Sequence, residues 1–148
     1  MKIWIYLFPA FLIFTNCKQE STPKKQVQLA AQSILTQNEI QDLVTKVDFV
    51  DFLFYHMNIS VSQNDPASIQ QSLHFLTTEA KPATMQCASI GRASFQSKGK
   101  IIFEADMHFA DHCGYFTIIE NKVAKGTCLM SPDGVKFLST MINSYQNK

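Results

Sequence analysis

Glycine is scarce in this chain. There are five in 148 residues, and none stands with another at the short spacings that let a loop cradle phosphate. The sequence therefore carries no nucleotide-binding loop of that kind. Arginine is scarcer still, with Arg92 alone. No run of like charge marks a polybasic or acidic tail. The four cysteines include no Cys-x-x-Cys pair, so no thiol has that pKa-lowering setting. No internal repeat and no long low-complexity segment is present. No apolar run approaches the roughly 20 residues that a membrane-spanning helix needs.

What stands out is the beginning. Met1-Lys2 supplies one positive charge, and Ile3 to Phe14 follow without any charge. A basic start and an apolar core of about 7–15 residues are the parts of a secretion signal. The run stops at Thr15-Asn16-Cys17-Lys18, and Pro9 would break a packed helix in its middle. Ordinary cleavage wants small residues one and three before the cut, which Phe14-Thr15-Asn16 does not offer.

A cysteine at this boundary resembles the lipobox of bacterial lipoproteins. Phe14 and Asn16 stand where the usual box has Leu and a small residue, and that relaxed box is similar to the one in small spirochaetal, Leptospira-type lipoproteins. Four cysteines, abundant Phe, Ile, Lys and Gln, and little Arg resemble the same group. The resemblance covers roughly residues 1–20. It implies a diacylglycerol thioether on Cys17, which becomes the mature N-terminus. It also implies location at the cell envelope, on the outer membrane or the periplasmic side. The membrane is then a partner through a covalent anchor. Each buried methylene contributes about 0.8 kcal/mol, so an anchor of two or three chains such as palmitate holds stably where one does not. The resemblance carries no activity.

Loss of residues 1–16 removes Lys2 and leaves 12 basic against 12 acidic side chains. That balance argues against nucleic acid as a partner, since phosphate binding wants a basic face. The expected organisation is a signal peptide (1–16), a lipidated cysteine and tether (17–35), and one domain (36–148). Lys18 to Gln26 is polar, contains Pro23 and has no apolar periodicity, as suits a tether.

Thr36 followed by Glu39 is a capping box and opens a helix. Ile40, Leu43, Val44, Val47, Val50, Phe54 and Met57 continue it at helical spacing, which predicts one long amphipathic helix. Asn64-Asp65-Pro66 opens a second, with Ile69, Leu73 and Leu76 as its stripe. The period then changes to two. Ile101, Phe103, Ala105, Met107 and Phe109 alternate with Ile102, Glu104, Asp106 and His108, which predicts a half-buried strand. Met85 to Gln96 is its partner through the turn at Ser97-Lys98-Gly99-Lys100. Tyr115–Ile119 and Val123–Cys128 form another hairpin, and Ser131-Pro132-Asp133-Gly134 opens a last helix. The expected fold is α+β: a four-stranded antiparallel meander packed against helices, in the order α-α-β-β-β-β-α.

With Cys17 committed to lipid, Cys87, Cys113 and Cys128 remain for an oxidising compartment. A hairpin loop of Glu120-Asn121 sets Cys113 opposite Cys128, at about 4.5 Å between Cα atoms in a non-hydrogen-bonded pair. A loop of Asn121-Lys122 sets Cys113 opposite Met130 instead. Cys113–Cys128 is the expected disulfide, with Cys87 joined to either as the alternative. A leftover Cys87 would be buried as a small hydrophobe.

Glu104, Asp106, His108, Asp111, His112 and Cys113 form the densest polar cluster. Zinc takes such ligands, but the spacing matches no metal motif, and the plainer account is a solvated strand face followed by a turn. A thiol nucleophile needs a base within hydrogen-bond reach. His108 and His112 are the candidates, and nothing nearby activates Cys87 or Cys113. His56 and His74 stand singly on predicted helices. The Phe- and Met-rich interior suits either a filled core or a cavity for a small apolar ligand such as a lipid.

The sequence thus points to a lipid-anchored envelope protein without catalytic residues, cofactor or metal, whose domain binds another protein or acts structurally. A domain binding a small apolar ligand is the alternative, and a metal- or thiol-dependent enzyme the third.

Overall fold

A computed structural model describes residues 35–146. The signal, the anchor at Cys17 and the tether up to residue 34 lie outside the described residues. Helix α1 spans Gln37–Lys46. Its capping box is formed: Glu39 N–H donates to the Thr36 hydroxyl at 3.3 Å, and Thr36 N–H donates to the Glu39 carboxylate at 2.7 Å. The Thr36 N–H, and after it the Thr36 hydroxyl at 2.8 Å, donate to the Glu39 carboxylate and hold it below its ordinary value.

The helix stops at Lys46, far short of the expected Met57. Val47 turns extended, and Asp48 ties the chain elsewhere: its N–H donates to Gln96 O at 2.9 Å and its carboxylate accepts from Lys98 N–H at 2.7 Å. The following residues form a hairpin of β1 (Phe49–Phe54) and β2 (Ile59–Gln63). This corrects the expected four-stranded meander. The sheet has six strands, and the order is α-β-β-α-β-β-β-β-α. The reason is packing. As a strand, Val50, Phe52 and Phe54 share one face and are all buried, whereas a helix would set Phe52 apart from the other two. Short apolar runs rich in β-branched and aromatic residues satisfy both periods, and burial decides between them.

Helix α2 (Pro66–Leu73) starts as expected, with Asp65 accepting from Ser68 N–H at 3.0 Å and Pro66 in the first position. Buried Ser72 fastens it to β2, donating to the Gln63 side chain. Strands β3 (Ser89–Ser97), β4 (Lys100–Ala110), β5 (Cys113–Glu120) and β6 (Val123–Leu129) follow, and then α3 (Pro132–Gln146). The β3–β4 and β5–β6 hairpins turn on two residues with positive φ, Lys98-Gly99 and Asn121-Lys122. Such turns match the twist of the strands they join.

The strands stand in the order β2-β1-β3-β4-β5-β6, and every neighbouring pair is antiparallel. The helices contribute Leu43, Leu73 and Leu138 to a core that includes Val50, Phe52, Phe54, Phe95, Met107 and Phe116 from the sheet. The small pair Ala93 and Ala105 lies at the sheet's centre. The rings of Phe52, Phe75 and Phe137 cluster at 5.1–6.2 Å between centroids. At Gly134 a Cβ would come within 2.9 Å of Phe75, so only glycine lets the start of α3 approach this cluster. Burying a large apolar side chain of this kind stabilises the fold by about 1.5–3 kcal/mol.

Candidate functional site: the uncovered face of the sheet

Alternation sends every second residue to the face opposite the core. Register aligns Ser60, Leu53, Arg92, Asp106, Thr117 and Thr127 in one row across six strands. A parallel row holds Ser62, Asp51, Ser94, Glu104 and Ile119. The expectation that Glu104, Asp106 and His108 share a face therefore holds.

Arg92 is the centre of one part of this face. Its Nε lies 2.7 Å from Asp106 Oδ1, and Nη1 lies 4.0 Å from Glu104. Tyr55 donates its hydroxyl to the same Asp106 oxygen at 3.2 Å. The bond to Asp106 raises the Arg92 pKa. Partial burial, with the Asp106 charge second, raises that of Tyr55. Leu53, 50% exposed, is paired with Arg92 in the register and is the apolar neighbour of these charges. Sequence reasoning missed Arg92 and Tyr55. The signal for the first was the chain's lone arginine within a small-residue strand. Tyr55 was hidden by the reading of its segment as helix.

The other part of the face is strapped. Residues 77–88 run from the outer side of β6 across its end. Leu129 N–H donates to Glu79 O at 2.8 Å, the Thr77 hydroxyl donates to Leu129 O at 2.9 Å, and the Lys81 ammonium sits 5.1 Å over the Tyr115 ring. Tyr115 and Thr127 are buried as a result. His108 stacks on Tyr115 at 4.3 Å. Its Nδ1 is 3.0 Å from Cys87 O and its Nε2 3.0 Å from the Thr117 hydroxyl. A carbonyl only accepts, so neutral His108 carries its proton on Nδ1 and accepts from Thr117 at Nε2. Both nitrogens are occupied, which leaves none for a metal or a thiol.

The strap is closed covalently by a disulfide between Cys87 and Cys113, whose Cα atoms are 6.3 Å apart. This corrects the expected Cys113–Cys128 bond. The hairpin loop is Asn121-Lys122, and a further register shift follows at Ile118 and Ile119. Cys128 therefore pairs with Phe116 on the core side and is a free, buried thiol. Burial pushes its pKa up to about 11.

The rest of the predicted polar cluster disperses. Asp111 and His112 are exposed on the β4–β5 turn, 3.7 Å apart. Among the described residues, no three His, Cys, Asp or Glu side chains gather as a metal site would require. His56 lies on the β1–β2 turn rather than on a helix, and His74 caps the end of α2; both are exposed. Two grooves open on the helical side. One, about 460 Å³, lies between α1 and β4–β6, with Leu43, Phe103 and Ile118 at its base and Glu39, Lys46 and Lys125 among its lining. The other, about 210 Å³, lies between β2 and α3. Among the described residues, no helix is long and apolar enough to cross a membrane.

No protein-family model matches this chain, and neither does any curated protein or solved structure.

Proposed function

We propose that this is a lipid-anchored protein of the bacterial cell envelope. Cys17 carries the lipid, residues 18–34 are the tether, and the domain, whose core Leu35 already joins, is a non-catalytic module that binds another protein. The anchor reading is supported by the uncharged run Ile3–Phe14 ending at Cys17. The binding reading is carried by one observation: among the described residues, helices cover a single face of the sheet, and the unstrapped part of the other face holds Tyr55, Arg92 and Asp106 in a fixed array beside exposed Leu53. Tyr and Arg are enriched where binding energy concentrates. Side chains already held in place lose little freedom on binding.

Two measurements test the two halves. Radiolabelled palmitate should enter the wild-type chain and not Cys17→Ala; equal labelling of both removes the anchor. A photo-crosslinker at Leu53 should trap a discrete protein adduct in intact cells, and one at Thr140 on the exposed side of α3 should not. Adducts at Thr140 alone would move the binding face to the helices.

A second reading has its own support. The groove between α1 and β4–β6 is large enough for a small apolar ligand. Displacement of a fluorescent fatty acid from the wild type but not from Phe103→Trp would favour it.

A further inference from the structure

The sheet has two outer edges, and they are treated differently. On β6, the chain from Leu76 to Glu79 covers the C-terminal end: Leu76 bridges Met130, and Glu79 O accepts from Leu129 N–H at 2.8 Å. The N-terminal half carries Lys125, ion-paired with Glu120 at 3.2 Å, next to the register shift at Ile118 and Ile119. Cover, charge and irregular register each keep a strand edge from pairing with another chain.

Strand β2 has none of these among the described residues. Ile59-Ser60-Val61-Ser62-Gln63 holds no charge and no proline, and its register with β1 is unbroken. Half of its backbone N–H and C=O groups point away from β1. The C-terminal half of α3 lies alongside, and Met141, Ser144 and Tyr145 form the groove with Ile59, Ser60 and Val61. Tyr145 is 42% exposed. This helix is also without charge from Phe137 to Gln146. Two elements far apart in sequence thus build one uncharged surface with Ile, Val, Met and Tyr on it. Protein interfaces have cores of that composition, depleted of charge and enriched in aromatics and Met.

We propose that β2 pairs antiparallel with β2 of a second copy across a two-fold axis. The two sheets become one, and Met141 and Tyr145 of each copy close over the junction. The occupant is a second copy because the strand complements itself. Centred on Val61, the pairing sets Val61 opposite its twin and Ser60 opposite Ser62. Core-side residues meet core-side residues, and the hydroxyl rows meet on the other face. A two-fold contact brings every charge near its own image, and among the described residues neither β2 nor α3 from Phe137 onward carries one. The proposal is argued from the outer edge of β2 and not from the partner-binding reading, although Ser60 also stands beside Leu53 in the row of that face.

Sedimentation velocity of the full chain, in density-matched detergent with its anchor, tests it. The wild type should show a concentration-dependent dimer. Ser60→Glu and Ser60→Lys should each raise the dissociation constant about ten-fold or more, since like charges across an interface are costly. An equimolar mixture of the two variants should dimerise again. A variant that had failed to fold would not be rescued by mixing. Ala124→Glu on β6 should leave the dimer unchanged. The proposal is overturned by a wild type that stays monomeric at the highest soluble concentration, by equal weakening with Ala124→Glu, or by a mixture that remains monomeric. A monomer that instead takes up an extended peptide from another protein along β2 would also overturn it.

Discussion

Phe52 and Leu53 are neighbours in one strand and obey different rules. Phe52 is 1% exposed and touches the ring cluster under the helices, while Leu53 is 50% exposed beside Arg92. The first is where the sheet gains its stability. The second is where it meets solvent and, on our reading, a partner. The comparison teaches that the two faces of this sheet separate the residues that hold the fold from those we propose to bind, so each set can be altered with little effect on the other.

The sharpest way to break that comparison is to truncate both residues. Phe52→Ala should lower unfolding free energy by about 3–5 kcal/mol, from lost transfer energy and a cavity. Leu53→Ala should stay within about 0.5 kcal/mol, as exposed substitutions do. Denaturant titration measures both, and similar losses would show that the faces are not separate. Next in size is the strap. Removing the Cys87–Cys113 bond as Cys87→Ser opens a loop of 26 residues. Chain entropy assigns that loop about 3.5 kcal/mol. Tyr115 fluorescence should also rise in exposure to quenchers, because the strap over it is freed.

The third test uses pH. The Cys128 thiol is raised from an ordinary 9.0 to about 11 by burial. The folded state therefore keeps a proton that the unfolded chain gives up, and stability from this group is intact below pH 9 and falls between pH 9 and 11. The loss relative to Cys128→Val should reach about 2–3 kcal/mol at the top of that window. Parallel alkaline profiles for the two proteins would refute it. The smallest effect is expected on the bare face. Arg92→Ala breaks a partly exposed pair with Asp106 and should cost about 0.5–1 kcal/mol after solvent screening. It should nevertheless abolish the adduct formed through Leu53.

The legible parts of the fold were those fixed by local chemistry. Thr36 with Glu39, and Asp65 with Pro66, announce helix starts because the capping groups lie within one turn. The turn at Lys98-Gly99 and the alternation of β4 were equally plain. The segment from Val47 to Gln63 was not. Its Val, Phe and Met residues fit both a helical stripe and an alternating strand, and contacts with Gln96 and Lys98, some fifty residues away, select the strand. The disulfide was hidden for a related reason. The spacing allowed two hairpin loops, and the one that forms, Asn121-Lys122, already takes Cys113 away from Cys128; the register shift at Ile118 and Ile119, which leaves no mark in spacing, moves it once more. Of the candidate site, the shared face of Glu104, Asp106 and His108 was visible from alternation. The roles of Arg92 and Tyr55 depended on strand order, which no local pattern encodes.

The Cys87–Cys113 bond encloses the whole β3–β4 hairpin, including its exposed turn at Lys98-Gly99-Lys100. A protease that nicks this turn cuts the chain without separating it. The two fragments stay joined through the disulfide and through their shared ladder, and they part only on reduction and denaturation. Cleavage at either exposed lysine of this turn, Lys98 or Lys100, thus leaves the folded domain in one piece.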